Sequence, residues 1–248
     1  MKYVLSRGSR APLGEFARSR LLVAFDYDGT LAPLTANRAK APMRKRTRRL
    51  LSELCRRYPC AVISGRARDD VMLQLAGVEL HAVAGNHGAE LPGLRAAANV
   101  DVAEWRERLA DRLRDAQGIA VEDKQLSLSV HYRAARDKAA ARRAVLAVVE
   151  SFAAARVIGG KDVVNLVPRG APHKGFALDE LRRTARCETA IYVGDDETDE
   201  DVFGMRRASR IFTVRVGAKK KSDAEYYVKT QHEVDALISV LIDLRQGD

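Results

Sequence analysis

The residues able to do chemistry gather in two acidic strings. The first, Phe25-Asp26-Tyr27-Asp28-Gly29-Thr30-Leu31, comes directly after the apolar run Leu21–Phe25. Ligands of open parallel sheets bind beyond the carboxyl ends of strands, so a strand end is where a site is expected. Carboxylates at i and i+2 on extended chain, here Asp26 and Asp28, point the same way. Such groups repel one another unless a cation or a shared proton intervenes. An oxygen-rich set favours Mg²⁺, which neutralises phosphate charge during transfer. Gly29 allows a sharp turn beside a ligand. Taken alone, this string reads equally as a capped helix start or a solvated turn. The second string, Tyr192-Val193-Gly194-Asp195-Asp196-Glu197-Thr198-Asp199-Glu200-Asp201, also ends an apolar run. It holds six acids in seven positions, which need a cation to coexist. An EF-hand fails, because the sixth position from Asp195 is Glu200 rather than glycine and no glutamate stands at the twelfth. A helix N-terminus welcomes some of the acids but leaves Asp195 and Asp196, at a strand end, unexplained.

Two smaller features lie between these strings. Ser64-Gly65-Arg66 follows the run Ala61–Ile63, and a hydroxyl beside backbone N–H groups at a helix start can bind phosphate. Lys174, in His173-Lys174-Gly175, opens a predicted helix and supplies a fixed positive charge. Singly, Ser64 reads as a plain helix cap and Lys174 as a surface charge. In chain order, nucleophile, hydroxyl, lysine and acids compose a phosphoryl-transfer site.

The elements that must position them follow from periodicity. The runs Leu21–Phe25, Ala61–Ile63, Ala82–Ala84 and Ala190–Val193 read as strands buried on both faces, with Ile211–Val216 a fifth. Helical patterns at 42–58, 66–76, 174–186 and 233–245 separate or follow them, Pro42 suiting a first turn. This alternation predicts an α/β fold, a doubly wound parallel sheet. The middle differs. A helix at 100–116 precedes a strand in which Leu126, Leu128, Val130 and Tyr132 alternate with the polar Ser127, Ser129, His131 and Arg133. A helix at 136–154 and a hairpin turning at Gly159-Gly160-Lys161 follow. Residues 92–169 are therefore expected to form an α+β cap inserted into a core of residues 1–91 and 170–248.

Composition narrows the classes. The chain has 248 residues, 46% hydrophobic and 31% charged, which is ordinary globular chemistry. No apolar run approaches the ~18 residues of a membrane span, and the first twenty residues hold no secretory signal, so membrane association is not expected. Three cysteines without CxxC spacing (Cys55, Cys60, Cys187) fit a reducing compartment, and the cytoplasm is expected. The net charge of +10 could draw an anionic substrate or nucleic acid. Its densest run, Arg44–Arg49, reads as the solvated face of a helix, and few aromatics accompany it, so no nucleic-acid partner is expected.

The four features resemble the motifs of the haloacid dehalogenase superfamily of phosphohydrolases: Asp26-Tyr27-Asp28-Gly29-Thr30, Ser64, Lys174 and Gly194-Asp195-Asp196. The resemblance covers nearly the whole chain. Within the superfamily the chain is most similar to trehalose-6-phosphate phosphatases. The strings Asp26–Pro33, Ile63–Arg66, Gly85-Asn86-His87-Gly88-Ala89-Glu90 and Gly194–Asp201 carry that similarity, with the cap segments Glu122-Asp123-Lys124 and His131-Tyr132-Arg133. The resemblance implies that Asp26 attacks phosphorus and that Asp28 serves as general acid and then base. It implies Mg²⁺ held by the Asp26 side chain, the Asp28 carbonyl and the Asp195 side chain, with Asp196 and Asp199 behind them. Ser64, Gly65 and Lys174 would grip the phosphoryl oxygens. For a phosphosugar substrate it points to Glu122 and Lys124 in the cap and Asn86 and His87 on the core. His131 and Arg133 either join them or face solvent. One position departs: Asn165 stands where a glutamate is expected, keeping an acceptor but losing a charge-assisted bond. The expected reaction is hydrolysis of trehalose 6-phosphate by a monomer. The alternatives are the same chemistry on another sugar, such as sucrose 6-phosphate or a mannosyl phosphoglycerate, and a non-catalytic phosphosugar-binding regulator. Retention of both Asp26 and Asp28 argues against the regulator.

Overall fold

All five apolar runs are strands in the computed structural model, which describes residues 1–35, 42–93, 102–160, 162–205 and 210–246. The elements in chain order are β1 (Lys2–Tyr3), α1 (Arg10–Arg18), β2 (Leu21–Phe25), α2 (Lys45–Cys55), β3 (Cys60–Ile63), α3 (Arg68–Gln74) and β4 (Ala82–Ala84). Then come α4 (Val102–Arg112), β5 (Ala120–Asp123), β6 (Leu128–His131), α5 (Lys138–Val149), β7 (Ala155–Gly160) and β8 (Val163–Pro168). The chain ends with α6 (Lys174–Thr184), β9 (Thr189–Gly194), α7 (Glu200–Phe203), β10 (Ile211–Val216), β11 (Tyr226–Val228) and α8 (Glu233–Gln246). They form two compact units, Met1–Gly93 with His173–Asp248, and Leu94–Pro172.

The first unit is a seven-stranded parallel sheet in the order β1-β11-β10-β9-β2-β3-β4. Its central strands are apolar throughout because both faces are covered. In β2, Leu21, Val23 and Phe25 join a core with Leu13 of α1, Leu51 and Leu54 of α2, and Leu237 and Leu241 of α8. Leu22 and Ala24 point the other way and are equally buried. From β2 the chain builds outward through β3 and β4; from β9 it builds the opposite way through β10 and β11. The strand order thus reverses between β2 and β9, which opens a crevice at their carboxyl ends.

The second unit is an antiparallel sheet in the order β5-β6-β8-β7, packed against α4 and α5. Leu128, Val130, Val164 and Leu166 meet Leu109, Val145 and Val149, and Trp105 stacks on Phe152 at 5.9 Å.

Several expectations shift. The basic helix begins at Lys45, so Pro42 precedes it rather than occupying its first turn. The middle strand is shorter than 126–132, and its polar side is not solvated: Ser127 and Ser129 are 2% and 0% exposed. Ser129 satisfies its hydroxyl within the sheet, donating to Asn165 Oδ1 at 2.6 Å. The first hairpin strand, expected over 156–158, runs from Ala155 through Gly160, and the second, expected over 162–167, is shifted by one to Val163–Pro168; Lys161 lies outside the described residues. Strand β5 escaped the hydrophobic pattern because it is an edge with only Val121 half-buried. Among the described residues no helix is long and apolar enough to cross a membrane.

Candidate active site

The two strands flanking the reversal deliver the acids. Asp26 follows β2, and its N–H donates to the Val193 carbonyl at 2.8 Å, extending the β2–β9 ladder by one bond. Asp195 follows β9. Gly29, at φ 83°, turns the first loop where the Asp195 carboxylate lies; a Cβ there would collide with it. Thr30 Oγ1 donates to Asp195 Oδ1 at 3.3 Å.

Lys174 opens α6 behind the cap His173, whose Nδ1 accepts from the Phe176 N–H. Its side chain runs inward, 2% exposed, and Nζ donates to Asp26 Oδ1 at 2.9 Å and Asp199 Oδ1 at 2.7 Å. The Tyr192 hydroxyl donates to the same Asp199 oxygen at 2.7 Å, and the Asp196 N–H to Asp199 Oδ2 at 2.8 Å. Both oxygens of Asp199 are therefore committed to protein donors. Asp196 caps the short turn after it, Oδ1 accepting from the Glu197 N–H at 2.7 Å.

The electrostatics show buried acids that are costly to ionise together. Carboxylate oxygens of Asp26, Asp195 and Asp199 lie within 4.8 Å of one another. Burial is the largest push on Asp26 and takes its carboxyl up to about 7, with Lys174 pulling against it and Asp199 adding to it. Burial, then the charges of Asp26 and Asp199, push Asp195 well up. Burial alone would push the Lys174 ammonium down, but the two carboxylates beside it outweigh that and the net movement is up. An isolated ion pair moves its partners apart. Here acid and base both move up: burial leads the rise of Asp26 and Asp195 against the pull of Lys174, while at the ammonium the Asp199 and Asp26 carboxylates outweigh burial. A hard divalent cation fits that oxygen donor set.

Asp28 is placed differently. Arg66 holds it in a two-pronged grip, Nε donating to Oδ2 and Nη2 to Oδ1, both at 2.6 Å, while Nη1 donates to Asp70 at 3.0 Å. The guanidinium carbon lies 5.3 Å from the centre of the Tyr27 ring. Ser64 is buried after β3, its Oγ accepting from the Arg66 N–H at 3.2 Å. The loop 64–66 is tied to the turn 86–88: the Asn86 N–H donates to the Arg66 carbonyl at 2.7 Å and the His87 N–H to that of Ser64 at 2.9 Å. The His87 ring fills the space a side chain on Gly65 would need. Asn86 and His87 both adopt left-handed backbone, φ 46° and 56°, which costs each about 1–2 kcal/mol and is held by these bonds. Asn86 Nδ2 donates to Glu90 Oε1 at 2.8 Å, so part of this residue's job is to brace the turn.

The second unit presents its own row of polar residues. Register aligns Glu122 with Ser129 and Ser129 with Asn165, one line across β5, β6 and β8, on the face opposite Leu128, Val130 and Leu166. His131 shares that face, with Nε2 2.7 Å from Glu122 Oε2. Lys124 is 5% exposed, and Arg133 Nε lies 3.8 Å from Asp162 Oδ2.

Three residues of the first unit escaped the sequence reading. Arg66 adjoins Ser64 and Gly65 but drew no role. Tyr192 and Arg215 stand inside apolar strands and are 0% and 6% exposed. A hydroxyl or guanidinium in such a run needs a buried partner, which was the available signal.

Comparison with known proteins converges on one family. The sequence profile of the trehalose-phosphatase family matches residues 24–232, a span containing every residue of the candidate site. The trehalose-phosphate phosphatase of Mycobacterium avium is 34% identical over 82% of this chain and 56% of its own length. The probable trehalose-phosphate phosphatase 2 of Oryza sativa subsp. japonica is 29% identical over 92% of this chain and 69% of its own. Among solved structures, the C-terminal domain of C. albicans trehalose-6-phosphate phosphatase superposes with a TM-score of 0.82 at 22% identity, covering 94% of this chain and 96% of that one. A sugar phosphatase of the HAD superfamily, BT4131, shares the fold at a TM-score of 0.62 and 14% identity, over 89% and 99% of the two chains. With five aspartates and a buried lysine at the ends of β2, α6 and β9 inside the matched span, this chain belongs to the trehalose-phosphatase family.

Proposed function

We propose that the protein hydrolyses trehalose 6-phosphate to trehalose and phosphate, using Mg²⁺ and a phosphoryl group carried on Asp26. The observation that carries the reading is the Asp26 carboxylate itself: buried, fixed by Lys174 through Oδ1, and grouped with Asp195 and Asp199. With Oδ1 engaged, Oδ2 is the oxygen left to attack phosphorus, forming a P–O bond as the P–O bond to the sugar breaks. Released from Arg66, Asp28 takes up a proton from solvent and gives it to the departing sugar oxygen, which leaves poorly as an alkoxide. It then takes a proton from water, whose oxygen attacks phosphorus and releases phosphate from Asp26. Asp26, Asp195 and the Asp28 carbonyl would hold Mg²⁺, with Asp199 and Asp196 behind them; when bound, the ion neutralises charge on the phosphoryl oxygens. Ser64, Gly65 and Lys174 fix the phosphoryl group. The Asp28–Arg66 grip is the state before substrate, since a phosphoryl anion offers Arg66 a competing partner.

Sugar recognition falls to the second unit as a cap, through Glu122, Lys124, His131, Arg133 and Asn165, with His87 and Asn86 on the core. Asn165 favours a second reading with the same chemistry. Its Oδ1 is spent on Ser129, so it offers the sugar an N–H donor rather than a carboxylate. Phosphate release from trehalose 6-phosphate, sucrose 6-phosphate, glucose 6-phosphate and an aryl phosphate, with and without chelator, separates the readings. Metal-dependent preference for trehalose 6-phosphate supports the first; preference for another disaccharide phosphate supports the second; no release from any overturns both.

A further inference from the structure

Arg215 is the penultimate residue of β10, and it stands opposite Gly194 in the last register pair between β10 and β9. Beyond that pair the ladder stops, and the backbone of Asp195 and Asp196 runs on without a strand beside it. Backbone carbonyls at such a point need donors from elsewhere. Arg215 supplies them. Its Nη2 donates to the Asp195 carbonyl, and Nη1 donates to the Asp196 carbonyl at 3.2 Å and to Glu200 Oε1 at 2.9 Å. Glu200 is held in turn, its Oε2 accepting from the Asp223 N–H at 2.9 Å. Arg215 is 6% exposed.

Among the described residues the Asp195 carboxylate, by contrast, has one side-chain donor, Thr30, at 3.3 Å. Its aim toward Asp26 and Asp199 is therefore set by the backbone that carries it, and Arg215 sets that backbone. We infer that Arg215 is a positioning residue for the cation site, acting through the Asp195 and Asp196 carbonyls rather than by touching substrate or metal. The inference rests on the metal-site reading given above.

A positioning role and a charge role predict opposite signs. A fixed guanidinium near a divalent cation repels it, so if charge were Arg215's contribution, removing it would tighten metal binding. If the grip on the carbonyls is the contribution, removing it weakens binding, as loss of a partner behind a metal ligand does, by about 10–100-fold. Arg215→Lys keeps the charge but cannot span three acceptors; Arg215→Gln loses both. The experiment measures Mn²⁺ binding to the whole metal-free chain, without substrate, by the electron paramagnetic resonance signal of free Mn²⁺. Melting temperature and circular dichroism are read on the same samples. The expected result is weakening of at least about tenfold in both variants. In Arg215→Lys, turnover returns as Mg²⁺ is raised to saturation. Binding by either folded variant as tight as, or tighter than, the parent overturns the inference, and Arg215→Lys decides alone if Arg215→Gln does not fold. Failure of the parent chain to bind Mn²⁺ removes the metal-site reading itself and this inference with it, a result distinct from tight binding by all three proteins.

Discussion

Replacing Lys174 with methionine preserves the length of a fully buried side chain and removes the ammonium that pairs with both Asp26 and Asp199. Both carboxylates lose a charge-assisted bond, at 2.9 and 2.7 Å, in a region where buried acids crowd together. Breaking a buried pair by deleting one partner costs about 3–5 kcal/mol, and here one ammonium serves two partners, so about 5 kcal/mol is expected. At about 2–4 °C per kcal/mol for a unit of this size, the metal-free protein should melt roughly 10–20 °C lower. The deficit depends on pH, and its sign is fixed by Asp26. Burial already holds that carboxyl up at about 7 with Lys174 present, and deletion pushes it further. A group raised above its unfolded value near 4 contributes stability below that value, and the contribution is lost as pH climbs through the folded one. The loss on mutation should therefore be smaller near pH 4–5, where the Asp26 share is gone, and complete near pH 8. Differential scanning calorimetry of both proteins at the two pH values, with chelator and then with Mg²⁺, reads all of this. Melting within a degree or two of the parent near pH 8, or an equal loss at both pH values, would refute the charge argument.

Two further substitutions probe the groups around this centre. Tyr192→Phe removes only the hydroxyl that donates to Asp199 Oδ1 at 2.7 Å, a bond to a charged group worth about 1.5–3 kcal/mol. Its kcat should fall roughly tenfold or more on sugar and aryl phosphates alike, with KM nearly unchanged; a rise in KM alone would place Tyr192 in binding instead. Glu122→Ala removes the carboxylate paired with His131 and should raise KM for the preferred sugar phosphate about tenfold, while leaving hydrolysis of an aryl phosphate unchanged. Equal losses on both substrates would take sugar recognition away from β5.

The parts of the site legible in the sequence were those carried by contiguous strings. Asp26 and Asp28 after Leu21–Phe25, and Asp195 after Ala190–Val193, could be placed because a buried strand announces itself by unbroken apolar residues and its end is fixed by the first acid. The switch point needed the strand order, which only pairing of residues 160 or more apart supplies. The Asp28–Arg66 grip joins positions 38 apart in chain and the Tyr192–Asp199 bond depends on how the loop after β9 folds back, so neither has a local signature. In the second unit the alternation over Leu128–Val130 located a strand, yet Ser129 proved buried because Asn165 satisfies it across the sheet. Strand β5 had no apolar pattern to reveal it, being an exposed edge held by backbone bonds to β6.

The central claim is that Asp26 carries the phosphoryl group, and chemical trapping tests it most directly. The protein is mixed with ³²P-labelled sugar phosphate and Mg²⁺, quenched in acid within the first turnover, digested and mapped. The account predicts label on the peptide containing Asp26, stable in acid, released by hydroxylamine as an acyl phosphate must be, and absent from Asp26→Asn. Turnover without any such label, or label on another residue, would contradict it.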